Sequence, residues 1–367
     1  MIYLDNSATT KPKKEVLDTF IKVNEQFYAN PSSLHALGNQ AEDLLETARS
    51  QLKELLNMEK IIFTSGGTEA NNLALIGTAR SYQSRGKHIV SAETEHPSVL
   101  NSLAALEQEG FEITLLPVDH TGQIDIEELK KSLRSDTILV SLMHVNNEIG
   151  TIHPIAAIAR LLKERRIFFH VDAVQSIGKL ALDSAAMPDL LSISGHKIHG
   201  LKGSGLLAYS GVELQSIQYG GGQEGGIRSG TVSVPNAVAL AKALRLAKVS
   251  PLHLKWNQNL RQFFSEFTGV KVISPEQGAP HILAVAVKGI KGEILVSGLQ
   301  KESVIVSTSS ACSSKSRDTS HVIQAIGLPR EFKDGVMRIS FGAFTTEQDI
   351  MDLQKAFQRV YRIIKGA

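Results

Sequence analysis

Apolar positions between Leu34 and Met58 recur at helical spacing, with Leu44, Leu45, Ala48, Leu52, Leu55 and Leu56 on one face. After that the pattern shortens. Strands are expected at Ile61–Thr64, His88–Ser91, Ile113–Leu116, Ile138–Leu142, Phe168–Asp172 and Leu190–Ser194. Helices are expected between them at Glu69–Arg80, Pro97–Glu109, Ile126–Leu133 and Ile155–Arg165. That alternation implies βαβ units and a largely parallel sheet covered on both faces. Beyond about residue 250 it breaks down. A helix near Leu254–Phe267 precedes strands at Ile282–Val287, Val304–Val306 and Val336–Ser340, and a last helix spans Thr346–Ile364. The chain therefore reads as α/β: a large domain over 15–250, and a smaller α+β domain from 1–14 and 251–367. Two soft stretches, Gly220–Gly230 and Ser307–Ser316, interrupt the pattern.

Composition narrows the class. The 367 residues are 42% hydrophobic and 21% charged, which excludes a disordered or fibrous chain. With 39 Lys+Arg against 37 Asp+Glu the formal charge is +2, so the chain is not built to coat nucleic acid. Its single cysteine, Cys312, excludes an internal disulfide and a self-contained cysteine-rich metal site. The N-terminus has neither the basic nor the apolar region of a signal peptide. No apolar run approaches the ~18 residues needed to span a bilayer. The expectation is a soluble, cytoplasmic protein with one thiol to explain.

Three stretches could support chemistry. In Thr64–Asn72 a strand hands over to a helix through Ser65, Gly66, Gly67 and Thr68, small residues that admit an anion to the helix N-terminus. A plain cap with Thr68 as the capping hydroxyl explains the same residues. Asp172 and Lys197 follow successive strands, and ligands of open α/β sheets bind outside the carboxyl ends of strands. An Asp and a Lys so placed fit pyridoxal phosphate, the lysine as Schiff base and the acid at the pyridine nitrogen. A structural salt bridge beside an exposed lysine is the bland alternative, and Ser194-Gly195-His196-Lys197 after a strand favours the cofactor. Cys312 sits among serines without periodic apolar neighbours, which points to an exposed loop rather than a buried thiol. Lys315 and Arg317 could lower its pKa.

Other patterns fall short. Gly220–Gly225 matches G-x-G-x-x-G but follows no first strand and opens no helix, and Leu201 stands where a P-loop needs lysine. His196 and His199 lack zincin spacing, and Lys163–Arg166 reads as a solvated helix end.

Taken in order, these motifs identify a resemblance. Tyr3–Thr10, Asn30–His35, Phe63–Asn72, Glu95-His96, Met143–Gly150, His170–Gln175, Ser194–Lys197, Arg228–Thr231, Ser310–Cys312 and Arg338–Ser340 run nearly end to end. The chain resembles the pyridoxal-phosphate cysteine desulfurases of the NifS/IscS type, in the class-V aminotransferase family. The resemblance implies the aspartate-aminotransferase-like fold, with a mostly parallel sheet in the large domain and a smaller α+β domain carrying the Cys312 loop and Arg338. The loop itself resembles the long one of the first family group, not the shorter SufS-type loop.

Residue by residue, the resemblance implies that Lys197 holds the cofactor and then moves the α-proton. Asp172 would pair with the pyridine nitrogen, Gln175 with the phenolic oxygen, and His96 would stack on the ring and assist proton transfer. Gly67, Thr68, Ser194, Gly195 and His196 would hold the phosphate, joined by Thr231 from a neighbouring subunit, which implies a homodimer. Arg338 would grip the carboxylate of L-cysteine, helped by Asn147, which would also contact the cofactor. Cys312 would take the substrate sulfur as a persulfide, leave L-alanine, and pass the sulfur to an acceptor protein such as an iron–sulfur scaffold or a tRNA-thiolation enzyme. No resident metal is implied, although one thiolate could transiently ligate an iron–sulfur cluster. Direct nucleic-acid and membrane partners are not expected. Four positions depart from the family pattern: Leu201, Gly225, Ser309 and Ala343. None removes a catalytic group. A selenocysteine lyase, another aminotransferase-like enzyme, or an inactive sulfur-relay scaffold are the competing readings.

Overall fold

The computed structural model describes residues 1–181, 183–308 and 319–366. Cys312 and Ser309 lie outside the described residues. The chain opens with β1 (Ile2–Tyr3), α1 (Lys14–Gln26) and α2 (Ala36–Leu56). There follow β2 (Lys60–Thr64), α3 (Gly67–Tyr82), β3 (His88–Ala92), α4 (Pro97–Gln108), β4 (Glu112–Leu116), α5 (Ile126–Ser132), β5 (Thr137–Met143), α6 (Ile155–Glu164), β6 (Phe168–Asp172), β7 (Leu190–Ser194) and β8 (Gly205–Tyr209). The second half comprises α7 (Val234–Leu246), α8 (Pro251–Ser265), β9 (Val270–Val272), β10 (Ile282–Val287), α9 (Gly292–Lys301), β11 (Val304–Ile305) and β12 (Ser307–Thr308). It ends with α10 (His321–Ala325), α11 (Arg330–Lys333), β13 (Val336–Ser340) and α12 (Glu347–Lys365).

Seven strands form one sheet in the order β2-β8-β7-β6-β5-β3-β4. Strands β3 to β7 pair in parallel, and β8 runs antiparallel to both β2 and β7. Every residue of β3, β5 and β7 is buried, as expected of a sheet covered on both faces. Because β8 alone is reversed, the carboxyl ends of β2, β3, β5, β6 and β7 share one edge.

All six strands expected in this half form. The seventh, β8, is missing from the sequence pattern because Gly205-Leu206-Leu207-Ala208-Tyr209 contains no β-branched residue. Helices α1 and α7 are also additions. Helix α7 is apolar almost all round, so it shows little amphipathic signature, and it packs against α1 and α2. In α2, Leu45, Ala48, Leu52 and Leu56 face the core as expected, whereas Leu55 is 48% exposed. Leu55 directly precedes Leu56, about 100° away around a helix of 3.6 residues per turn, which sets it at the rim of the buried stripe.

A second sheet, β12-β13-β10-β9, is antiparallel throughout. Its core unites Leu4, Trp256, Phe264, Leu283, Val285, Met337, Ile339 and Phe357. Helix α12 starts with a reciprocal capping box between Thr346 and Asp349 and buries Ile350, Leu353, Ala356, Phe357 and Val360. The first residues of the chain reach both sheets, Ser7 bonding to β13 and Thr10 to the turn after β7, while β1 and β11 form a two-stranded parallel sheet of their own. β1 pairs with β11, Leu4 N–H donates to Ile305 O at 2.8 Å, and Ser7 N–H donates to Ser340 Oγ at 2.8 Å. This places residues 5–10 against the carboxyl edge of the large sheet.

Candidate active site

His96, Asn147, Asp172, Gln175, Ser194 and Lys197, all singled out from sequence, gather at that edge. His96 is the N-cap of α4, Asn147 lies in the turn beyond β5, Asp172 ends β6 and Gln175 follows it. Ser194 ends β7, and Gly195-His196-Lys197 form the single 3₁₀ turn after it.

Lys197 Nζ donates to Ala8 O at 2.8 Å and to Ser7 O. Gln175 Nε2 donates to the same Ser7 O at 2.8 Å. The N-terminal segment is fixed from below, since Thr10 N–H and Thr10 Oγ1 both donate to His196 O, at 2.9 and 2.8 Å. Ser7 and Ala8 thus supply the carbonyl floor of the site, with Thr10 anchoring the segment. Backbone carbonyls leave no side-chain signature, so sequence reading gave them no role.

Asp172 is 7% exposed, and each of its carboxylate oxygens has one partner. Its Oδ1 accepts from Val174 N–H at 2.9 Å and its Oδ2 from Asn71 Nδ2 at 2.8 Å. Asn71 Nδ2 also donates to Ser98 Oγ at 2.9 Å, and Ser98 Oγ lies 2.8 Å from His96 Nδ1. Ser98 N–H donates to His96 Nδ1 at 3.1 Å as well. An Nδ1 that accepts from a backbone N–H holds no proton, so neutral His96 carries its proton on Nε2. Burial holds its pKa below the ordinary histidine value, and the Lys197 and His321 charges reinforce this against the pull of Asp172. Asn71 and Ser98 therefore connect the acid to the histidine.

Helix α3 begins at Gly67 after Gly66, and no side chain caps it. Thr68 sits inside the first turn and is not the cap, so the plain-cap explanation of these residues does not hold. The open N–H groups and the helix dipole there suit an anion. Gly67 keeps the turn open, because a Cβ at that position would lie 2.7 Å from Val174 Cγ2 and 3.5 Å from Ser194 Cβ. The turn is held from outside by Glu69, which accepts from Ser65 N–H at 2.7 Å and from Arg228 Nε at 2.7 Å. His196 faces Thr9 Oγ1 at 3.1 Å, and burial with the nearby Lys197, Lys202 and Lys179 lowers its pKa to about 4. Thr231 is exposed and lines a separate cavity of about 120 Å³ with Ser65, Ser204 and Arg228, whose walls include none of Lys197, Asp172 or His96.

Arg338, from β13, is 2% exposed. One terminal nitrogen donates to Asn147 O at 2.9 Å and the other to Asp5 Oδ1 at 2.8 Å. Its Nε is buried with no partner among the described residues. Asn147 thus meets Arg338 through its carbonyl. A guanidinium held on two sides with a donor to spare is equipped to bind a carboxylate. No group of three or more His, Cys, Asp or Glu among the described residues could hold a metal ion. No described helix is long and apolar enough to cross a membrane.

The assembled edge has a lysine on carbonyls, a buried acid, a neutral histidine, an open helix N-terminus and an arginine from the second sheet. Comparison with known proteins gives the family. The family described as aminotransferase class-V matches residues 2–353, and the chain belongs to that family. The chain is 42% identical over 366 residues to the Escherichia coli protein named cysteine desulfurase IscS, covering 95% of this chain and 90% of that one. It is 42% identical over 375 residues to a Lactobacillus delbrueckii NifS/IcsS protein homolog, covering 99% of this chain and 97% of that one. A solved structure titled NifS-like protein superposes with a TM-score of 0.91 at 33% identity, covering 99% of both chains.

Proposed function

We propose that the protein is a pyridoxal-phosphate-dependent L-cysteine desulfurase, acting as a cytoplasmic homodimer that forms L-alanine and a persulfide on Cys312. The observation that carries this reading is the meeting of Lys197, Asp172, Gln175 and His96 at one sheet edge, with Arg338 brought to it by the N-terminal segment.

The residues fit the cofactor by their own chemistry. The uncapped start of α3 and the space kept by Gly67 suit its phosphate, with Thr68, Ser194, Gly195 and His196 around it. Asp172, buried and oriented by Asn71 and Val174, suits a pyridine nitrogen. Gln175 would meet the phenolic oxygen and Lys197 the aldehyde carbon. When bound, the cofactor supplies an electron sink that lets a C–S bond break without a free carbanion.

This chain's residues supply the remaining work. Arg338, held by Asp5 and the Asn147 carbonyl, orients the substrate carboxylate. Lys197 Nζ, once the substrate amine has taken its place on the cofactor, is the base at the α-carbon, with the Ser7 and Ala8 carbonyls in reach to hold it at the site. His96 presents a proton on Nε2. Cys312 takes the substrate sulfur and hands it to an acceptor protein for iron–sulfur cluster assembly or tRNA thiolation. Thr231, exposed here, would complete the phosphate site of a second subunit. The two largest core clusters support a division at 15–250 and at 1–14 with 251–367, the small part including the Cys312 loop and Arg338, since each draws on one part alone.

The test uses purified enzyme and L-cysteine. Cys312→Ala is expected to abolish sulfide release and persulfide labelling while leaving the bound chromophore intact. Lys197→Ala is expected to remove the chromophore. Full turnover in Cys312→Ala would refute the thiol as sulfur acceptor.

A further inference from the structure

Lys179 lies on the turn after β6, where its own N–H donates to Ser176 O at 3.0 Å. Its Nζ donates to Gln175 Oε1 at 3.1 Å. Gln175 is 4% exposed, and its Nε2 donates to Ser7 O, the oxygen that also accepts from Lys197 Nζ. A four-membered relay results: Lys179, Gln175, the Ser7 carbonyl, Lys197. An ammonium can only donate and a peptide carbonyl can only accept, so the two neighbours together fix which end of the Gln175 amide faces the site.

We propose that Lys179 is a positioning residue for the reaction: it holds the Gln175 amide in its working orientation and sets the proton balance of Lys197 from behind. This rests on the cofactor reading above, because Gln175 and Lys197 matter together only where a bound group lies between them.

The surroundings support an electrostatic part. Lys179 lines a cavity of about 340 Å³ shared with Lys13, Lys197, Lys248, His199 and His253, and no carboxylate is among the described residues of its wall. Across the relay stand Lys197 and Arg338, both cations; His281, His253, His199 and His196 also feel Lys179, and burial depresses all four. Burial, then Lys197 and Arg338, bring the Lys179 pKa down to about 7. Below about pH 7, where Lys179 is charged, it is a cation behind Gln175 that disfavours the proton on the Lys197 nitrogen. Removing it makes that proton easier to hold.

The experiment is an absorbance titration of the holoenzyme without substrate, following the Lys197-dependent chromophore from acid to alkaline pH. Lys179→Met should move the midpoint upward by about half a unit or more, the size expected on losing a neighbouring like charge. Lys179→Gln should shift it the same way while keeping a donor for Gln175, and Lys179→Arg should restore the wild-type value. Lys179→Gln also covers the case in which the methionine variant does not fold. An unchanged midpoint in Lys179→Gln, with the chromophore present, would overturn the proposal and leave the cofactor reading standing. Absence of any Lys197-dependent chromophore in the wild-type protein would instead overturn that reading.

Discussion

Asp5 Oδ1 accepts a 2.8 Å hydrogen bond from Arg338 across 333 positions of sequence. The arginine is nearly inaccessible, with its side chain 2% exposed against 16% for the aspartate. Removing one partner of such a pair leaves a buried charge uncompensated, at a cost of about 3–5 kcal/mol in stability. Asp5→Ala is therefore expected to lower the thermal midpoint and to raise KM for L-cysteine about 10-fold or more, as the guanidinium loses one of its two restraints. Asp5→Asn keeps an acceptor and should recover much of the KM. Equal KM values in all three proteins would show that Asp5 does not orient Arg338.

Acid should destabilise the fold well before carboxylates are neutralised. His144, His153, His170, His196 and His253 are each held to a pKa of about 4, chiefly by burial. Both ring nitrogens of His153 are buried without partners among the described residues. Their folded pKa values lie below the unfolded ones, so the unfolded chain binds more protons between about 6.5 and 4, and stability falls as pH drops through that window. Glu95, Glu148 and Asp189 oppose this, because burial raises their pKa values and the folded chain then binds more protons. His88, His96, His199 and His281 are depressed as well, so nine histidines against three acids leave the histidine sign in control. Urea midpoints measured at pH 7, 6 and 5 should fall in that order; a flat or rising series would contradict the assignment.

The strand-end residues were readable because a parallel sheet forces ligands to its carboxyl edge, and His96, Asn147, Asp172 and Lys197 each follow a β-rich run. Asn71 and Ser98 were not readable in role. Both sit in helices among apolar neighbours, where a small polar residue looks like an ordinary helix surface position. Their function arises only when α3 and α4 pack and bring Asn71 Nδ2 within 2.9 Å of Ser98 Oγ. Asp5 is a similar case, its partner being unpredictable without the tertiary path of the N-terminal segment. The reversed strand β8 escaped notice because Leu and Ala say little about strand over helix, yet it sets Gly205 beside both Thr64 and Ser194.

Ser98 is the hub between Asp172 and His96, which makes it a sharper probe than either. Ser98→Ala keeps the backbone N–H bond to His96 Nδ1 but removes the hydroxyl that meets both Asn71 Nδ2 and Nδ1. Each such bond is worth about 0.5–1.5 kcal/mol, so losing the pair should lower kcat about 10-fold or more with KM little changed. The fall should be larger at low pH, where a less restrained imidazole protonates on both nitrogens. Ser98→Thr, which keeps the hydroxyl, should recover most of the rate. A loss of similar size in the threonine variant would assign the effect to packing in α4.

The anion cradle can be tested by filling it and then making room again. A methyl group at position 67 would sit 2.7 Å from Val174 Cγ2, closer than two carbons can approach. Val174 in turn follows Asp172 and donates its N–H to that acid at 2.9 Å, so the clash pushes on the cofactor's acid as well as on its phosphate turn. Overpacking of this kind costs about 1–3 kcal/mol, and Gly67→Ala should weaken pyridoxal-phosphate retention by about 10- to 100-fold in equilibrium dialysis. If the obstruction is the valine methyl, Gly67→Ala combined with Val174→Ala relieves it and restores retention to within a few fold of wild type, since the backbone N–H of residue 174 survives. If the new Cβ instead blocks the approach of the phosphate itself, the double variant stays as poor as the single one, and the space beside Gly67 then belongs to the ligand rather than to the packing of the turn.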